Sequence, residues 1–511
     1  MTHFPITLYE IAYALSVVSL LAWTYWQDRP RFGEVLKQTF TSAFIVYLIS
    51  VAAATSAWDI KIEVLLRDLL VMGVLGFAFR VLMHRHAWFL VGSLLLAGAF
   101  VWFFNAKVQP TFASAGHEWQ LDEHGELLVE IREGVSPKAI QQIVEKYGLK
   151  VERAFYPANA EATNLDNYYV VDIPQSKMRH LKRIAKALVR TDAVVWVEEN
   201  EVVTVAPLES AQLPPVQNKF GINDPGVEQL WGFEAMAIND LYNYLNNKDI
   251  KPKRKALIAI LDTGVDGQHE DLRGNFKSLK GAHDSDPVGH GTHCAGIAGA
   301  VSNNGVGVAS FSTDNRFVQI TSIRVLNSMG SGTQRGIING MIEAADKGAD
   351  VLSMSLGGFS DRFKVKAYTD AVTYVTKAGG IVVAAAGNSS RNAKDYAPVN
   401  TPGVIGVSAI DHELNRAVFS NTVNDLPMGV AAPGVGIYST IPGNKYNTFN
   451  GTSMATPYVA GLVGLLKSIR PELTAKQAYD ILHQTGKNTR NTKETGKLIQ
   501  PAAAVQQLID K

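Results

Sequence analysis

Four residues in the second half of the chain have the types and surroundings that acyl transfer needs. Asp262 ends the apolar run KALIAILDTGVD, His290 opens GHGTHCAGIAGA, Asn388 closes GIVVAAAGN, and Ser453 stands in NGTSMATPYVAGLVGLL between a glycine and a long apolar run. A serine hydroxyl is a weak nucleophile at neutral pH, so an imidazole must take its proton. A carboxylate must then hold that imidazole in one tautomer and stabilise its positive charge. An amide such as that of Asn388 donates to the oxyanion formed when the serine attacks a carbonyl. A serine at a helix start adds backbone N–H groups, its own among them, aimed at the same charge. Singly, each residue has an ordinary structural use as a strand-end turn, a helix start or an N-cap.

The elements that must position these residues are strands and helices in alternation over 221–511, the pattern of a parallel sheet with helices on both faces. Asp262 falls where an apolar strand leaves the sheet, and carboxyl ends of parallel strands are where such folds gather chemistry. The small residues after His290 let a helix pack closely. Further helices are expected near 333–347 and 362–377, a strand at DVLSMS, and a buried strand ending at Asn388.

AILDTGVD, GHGTHCAG, AAAGN and NGTSMATP resemble, in order, the aspartate, histidine, oxyanion-asparagine and serine blocks of the subtilisin-like serine proteases, and the match runs over about 223–466. The resemblance implies an α/β subtilisin-like peptidase domain with Asp262 orienting the histidine, His290 as general base, Asn388 as oxyanion donor and Ser453 as nucleophile. His293 matches a supporting position and Cys294 a buried filler beneath the histidine. MGSGT and MSLGG look like the two backbone edges between which the family clamps an extended peptide, which carries over Gly330, Ser331, Gly332, Ser355, Leu356 and Gly357 as substrate-binding candidates. Neither edge has an acidic residue to select a basic side chain, which favours neutral or apolar ones. No cofactor is implied for the chemistry. Asp271 sits where many members place a calcium ligand, and VSNNGVGVA resembles a shortened form of the loop that completes that site.

Ahead of this domain, 120–206 reads as a small α+β unit of order β-α-β-β-α-β, a ferredoxin-like arrangement. ELLVEIREG, KVERAF, NYYVVDIP and AVVWVEENEVVTV are its strands. Ser136 and Pro137 open its first helix, Gly148 closes it, and a second helix runs over about 177–188. It resembles the family's inhibitory pro-domain, which assists folding and then occupies the active site, its C-terminal extension lying there as a bound product. A polar, proline-bearing linker at 207–220 is the expected processing region.

The first 105 positions gather the apolar runs ITLYEIAYALSVVSLLAWTYW, QTFTSAFIVYLISVAAATSAW, LLVMGVLGFAFRVLM and AWFLVGSLLLAGAFVWFF. At about 20 apolar residues per crossing, 1–105 is expected to be a multi-pass membrane domain of about four helices. The third spans only if Arg67 and Asp68 sit at one interface and Arg80 snorkels to the other. Arg29, Arg31 and Lys37 in the first loop and Arg80 and Arg85 after the third segment outweigh Lys61 and Arg67 in the second loop. Those loops are therefore cytoplasmic, and the catalytic domain is extracytoplasmic, in the periplasm or outside the cell. The start MTHFPITLYE lacks the basic n-region of a cleavable signal.

A net charge of +1, with 48 basic and 47 acidic residues mixed along the chain, gives no footprint for nucleic acid. The single cysteine, Cys294, rules out an intrachain disulfide. The expected partners are a polypeptide substrate, the chain's own pro-domain as intramolecular inhibitor, and a lipid bilayer. The expected function is a membrane-anchored, self-processed serine endopeptidase. An acyl-transferring peptide ligase uses the same acylation machinery, and a latent pro-domain complex serving as sensor or scaffold is a third reading.

Overall fold

The structure, a computed structural model, describes residues 4–27, 29–53, 58–83, 92–93, 96–100, 121–205, 220–360 and 365–510. The chain divides into two compact units, Met1–Gln120 and Leu121–Lys511.

Among its described residues the first unit holds three long helices, α1 (Phe4–Trp26), α2 (Pro30–Ala53) and α3 (Trp58–Met83). Among the described residues one helix, through Arg31–Ala52, is long and apolar enough to cross a membrane; the apolar part of α1, Ile11–Trp26, is shorter. Of the four crossings expected, the described residues thus supply one helix that meets the length and apolarity a span requires. The third apolar segment is the latter part of α3, which carries Asp59, Lys61, Glu63, Arg67 and Asp68 ahead of it and Arg80 within it. Asp68 is fully buried among the helices, accepting from Tyr47 Oη at 3.2 Å and from its neighbour Arg67 at 2.7 Å. Most of the fourth segment lies outside the described residues.

The second unit begins with a four-stranded antiparallel sheet of order β2-β3-β1-β4. Its elements are β1 (Leu127–Ile131), α4 (Gln141–Tyr147), β2 (Lys150–Arg153), β3 (Tyr168–Asp172), α5 (Leu181–Val189) and β4 (Val194–Glu199). Ser136 accepts from Lys138 N to start the first helical turn ahead of α4, and Gly148 ends α4 in the left-handed conformation. The run expected as one last strand divides after β4. Asn200 is wholly buried, donating to the Gly125 carbonyl at 2.8 Å and accepting from Arg335 N at 3.0 Å. Those bonds turn the chain out of the sheet, and β5 (Val202–Thr204) pairs elsewhere.

After α6 (Trp231–Ala235) and α7 (Ile238–Asn247) come β6 (Ala256–Asp262), α8 (His290–Gly299), β7 (Val318–Arg324), β8 (Ser331–Thr333), α9 (Gln334–Asp346), β9 (Val351–Met354), β10 (Gly358–Phe359), α10 (Lys366–Lys377), β11 (Ile381–Ala385), β12 (Tyr396–Ala397), β13 (Ile405–Ile410), β14 (Gly429–Pro433), β15 (Ile437–Ile441), β16 (Lys445–Phe449), α11 (Thr452–Ile469), α12 (Ala475–Thr485) and β17 (Lys497–Leu498). Seven strands form one parallel sheet, β17-β14-β13-β11-β9-β6-β7. Every residue of β6 is buried, as a central parallel strand covered on both faces requires. Ile258 and Ile260 join the apolar cluster that contains Met454, Leu462 and Leu466 of α11, while Ala259 and Leu261 join the one with Ile337 and Met341 of α9 and Val375 of α10. The two-residue alternation of a strand thus feeds two cores, one on each side of the sheet. Helix α11 is apolar around nearly its whole circumference and almost entirely buried, which fixes its first turn, and Ser453 with it, at the carboxyl edge of the sheet.

Candidate active site

Asp262 is the last residue of β6, held by Val325 N and Leu326 N donating to its carbonyl at 2.9 and 3.1 Å. His290 is the first residue of α8. Gly289 at that N-cap has no side chain, and Asp286 does the capping. Its carboxylate accepts from Val288 N, Gly289 N and Thr292 N at 3.0, 2.8 and 2.8 Å, and from Thr263 Oγ1 at 2.8 Å. Asp286 therefore ties the loop after Asp262 to the helix that starts at His290. His290 Nδ1 and Asp262 Oδ1 are 2.7 Å apart, and both side chains are buried. Burial alone would lower the His290 pKa, but the adjacent Asp262 carboxylate outweighs it and holds the imidazole above its ordinary value. His293, one turn position away, has no such partner: burial drives it down to about 3, and its Nε2 meets the Asn447 carbonyl at 3.0 Å.

Ser453 is the second residue of α11. Its hydroxyl donates to the Ser355 carbonyl at 3.2 Å. Asn388 follows β11 and accepts, through Oδ1, from Thr452 N at 2.9 Å and Thr452 Oγ1 at 2.8 Å. That fixes the amide's orientation and leaves Nδ2 on the side of Gly451 and Ser453 N. A Cβ placed on Gly451 would fall 3.4 Å from Asn388 Nδ2 and 3.5 Å from Ser453 N. Glycine at 451 leaves that space open, and two N–H donors face it, the geometry of a small anion-binding gap.

Asp262, His290 and Cys294 place three donor atoms within 4.8 Å of one another. Burial pushes the Cys294 thiol far up, and His290 Nδ1 already faces Asp262, so the group is an acid–base pair over a packed sulfur rather than a metal centre.

The two expected substrate edges are both present, and one is paired. β5 lies antiparallel to β8, with Val202↔Thr333, Val203↔Gly332 and Thr204↔Ser331 as partners, and Val205 N donates to the Gly330 carbonyl at 2.9 Å. Val203 is buried in the cluster that includes Leu326 and Leu356. Gly357 leads into β10, where a Cβ on Gly358 would touch Val203 Cγ2 at 3.5 Å.

Asp271 is completely buried, and burial raises its pKa to about 7. Its Oδ1 accepts from Asn304 Nδ2 at 2.9 Å and its Oδ2 from Val308 N at 2.7 Å. Asp224 likewise takes Asn303 N at 2.6 Å and Asn304 N at 3.0 Å. Gly307 has φ of 54°, and a Cβ there would lie 2.2 Å from Asp271 Oδ2, so the loop closes onto the carboxylate only with glycine. A calcium ion needs oxygen lone pairs pointing at it, whereas this loop points N–H groups at the carboxylates. The donors arranged around Asp271 in this structure are N–H groups, not the oxygen cage that calcium requires.

Three contributors were not singled out from sequence: Asp286, the hydroxyl of Ser355, and Pro457 within α11. Asp286 had a signal in DSDPVGH, an aspartate shortly before a helix whose N-cap is glycine.

Residues 253–499 match the Subtilase family model. Thermitase of Thermoactinomyces vulgaris is 44% identical over 225 residues, 43% of this chain and 77% of that protein. Subtilisin DY of Bacillus licheniformis is 42% identical over 257 residues, 49% of this chain and 90% of that protein. Subtilisin amylosacchariticus of Bacillus subtilis subsp. amylosacchariticus is 33% identical over 375 residues, 72% of this chain and 86% of that protein. The fold and these relatives define a serine endopeptidase of the subtilisin kind. The chain belongs to the subtilase family.

Proposed function

We propose that this endopeptidase works through Ser453 as nucleophile, His290 as general base, Asp262 as the group that orients and charges the imidazole, and Asn388 Nδ2 with Ser453 N as the oxyanion donors. The observation that carries the reading is the buried 2.7 Å Asp262–His290 pair at the sheet edge where the first turn of α11 ends. Ser453 Oγ leaves the Ser355 carbonyl, gives its proton to His290 Nε2 and attacks the substrate carbonyl. The resulting oxyanion settles in the gap beside Gly451, and His290 then protonates the leaving amine. The polypeptide substrate lies as a strand between 330–332 and 355–357, and side chains without charge fit those edges best.

The 121–205 unit acts on this site as an inhibitory pro-domain of ferredoxin-like order. Support comes from β5, which occupies the 330–333 edge, and from Glu198, which accepts from Gln334 Nε2 at 2.8 Å, Lys366 N at 3.1 Å and Ala367 N at 3.3 Å and so caps the helix start of α10 beside that of α9. The match to subtilisin amylosacchariticus, at 72% of this chain, is too long to fit within 221–511 and must reach into this unit. Self-cleavage falls in 207–220, nearly all of which lies outside the described residues. The occupied edge also favours a latent resting state for the uncut chain. Membrane attachment runs through the apolar Arg31–Ala52 segment.

The test is the full-length chain purified with and without Ser453→Ala. Peptide hydrolysis and a new N-terminus within 207–220 are expected in the wild type alone. Hydrolysis undiminished in Ser453→Ala would refute the mechanism, and an uncut yet active wild type would refute self-processing.

A further inference from the structure

The helix that carries Ser453 has Pro457 inside it. In an α-helix the N–H of residue 457 would bond the carbonyl of residue 453, and proline has no N–H to give. The Ser453 carbonyl therefore lacks its intrahelical donor at a place where both it and its surroundings are buried, and such an acceptor needs another partner.

Two side chains from other elements take that place. Ser355 Oγ donates to the Ser453 carbonyl at 2.7 Å, and Cys294 Sγ does so at 3.4 Å. Ser355 directly follows β9, and Cys294 is on α8, one turn beyond His290. The bond to Ser355 is returned, since Ser453 Oγ donates to the Ser355 carbonyl. Ser355 and Ser453 are thus clasped twice, hydroxyl to carbonyl in each direction, and Pro457 is what frees one of the two carbonyls. A residue with an N–H at 457 would satisfy that carbonyl within the helix and leave the buried Ser355 hydroxyl competing for it.

We propose that Ser355 is a positioning residue for the nucleophile: its hydroxyl makes the bond that Pro457 cannot, and so fixes the first turn of α11 and the aim of Ser453 Oγ and N–H. This rests on the reading of Ser453 as nucleophile. It also separates two roles of one residue, the carbonyl of Ser355 belonging to the substrate edge and its hydroxyl to the catalytic serine.

The experiment is a double-mutant cycle on the full-length chain in detergent, with Ser355→Ala, Pro457→Ala and the double variant. The rate of labelling by a small fluorophosphonate reports the nucleophile without a peptide on the 355–357 edge, and peptide hydrolysis is followed beside it. Ser355→Ala is expected to slow labelling about tenfold, the scale of one hydrogen bond, and to lower kcat with KM held. In the double variant the new N–H of residue 457 supplies the missing bond, so most of the labelling rate returns. Rates are read where circular dichroism finds every variant folded; should Ser355→Ala fail to fold, Ser355→Cys replaces it in the cycle with the same expected recovery. A double variant no faster than the single one, or a Ser355→Ala effect confined to KM, overturns the proposal. A wild-type chain that hydrolyses peptide and yet is not labelled by the fluorophosphonate would instead overturn the nucleophile itself.

Discussion

Asp262 and Asp271 are both fully buried in the same domain, and their surroundings put them to opposite uses. Asp262 spends Oδ1 on His290 Nδ1 and on Thr263 N, each at 2.7 Å, while its buried Oδ2 has no hydrogen-bond partner among the described residues. Asp271 spends both oxygens on amide donors of one loop. At Asp271 burial raises the pKa in spite of the donors Val308 N and Asn304 Nδ2, so those amides hold a loop shut around a carboxyl whose charge they only partly offset. A carboxylate that is left partly unsolvated beside an imidazole stabilises a proton on that imidazole, and this is useful only where a proton must arrive and leave. Burial is common to both. The partner's ability to titrate is what separates a working carboxylate from a structural one.

The strongest way to break the comparison is to remove the groups that Asp262 serves. Ser453→Ala and His290→Ala should each cost about a million-fold in kcat, a magnitude taken from subtilisin itself. Asp271→Asn should leave kcat within about twofold, since its donors never meet the substrate. Active-site titration alongside initial rates distinguishes lost chemistry from lost protein. A fall in kcat for Asp271→Asn as deep as for the triad variants would erase the distinction.

Asp262→Asn sharpens it. Losing the orienting charge is expected to cost about ten-thousand-fold in kcat. The pH profile adds a sign. Burial pulls the His290 pKa down and Asp262 pulls it up and wins, so in the wild type activity falls, on acidification, at a pH above the ordinary imidazole value of 6.5. In Asp262→Asn burial is opposed only by the weaker field of Asp286, and the acid limb of the residual activity should move to lower pH. A limb that stays in place would mean that Asp262 orients His290 without charging it.

Asn388→Ala comes next, at about a hundred- to a thousand-fold in kcat, because one of two oxyanion donors is lost while the proton-transfer pair is intact. Its KM should hold. An unchanged kcat would show that the gap beside Gly451 is not where the oxyanion sits.

The parts of this design that were legible in sequence are those written locally. Asp262 ends an unbroken apolar strand, His290 and Ser453 begin helices, and Asn388 closes a buried strand, so the periods place each residue at an element's end, and the four family-like blocks are what join them as one site. The parts that were not legible depend on distant partners. AVVWVEENEVVTV reads as one strand across its polar EENE, and the turn at Asn200 is decided by Gly125 and Arg335, far away in the chain. Asp271 carries the same letter whether a loop offers it carbonyls or amides. In the first unit, hydropathy marks the Arg31–Ala52 segment, whereas the burial of Asp68 against Tyr47 is a matter of packing between helices.

The smallest expected effect falls on the structural side of the comparison. A loop that clasps Asp271 through Asn304 Nδ2 and Val308 N, and Asp224 through Asn303 N and Asn304 N, has every oxygen of the two carboxylates engaged by an N–H. For calcium to enter, those N–H groups must let go before any coordination energy is gained, so excess EDTA should not move the melting temperature through this site. A bound ion worth even about 1 kcal/mol would reveal itself as a shift of about 2 °C. Asp271→Ala should by contrast lower the melting temperature, because it strands two donors at a buried site, at about 1 to 3 kcal/mol for each left unsatisfied. The two treatments are best crossed in one differential scanning series. If EDTA lowers the melting temperature of the wild type and leaves that of Asp271→Ala alone, Asp271 holds a cation after all and the loop must open its amides to admit it.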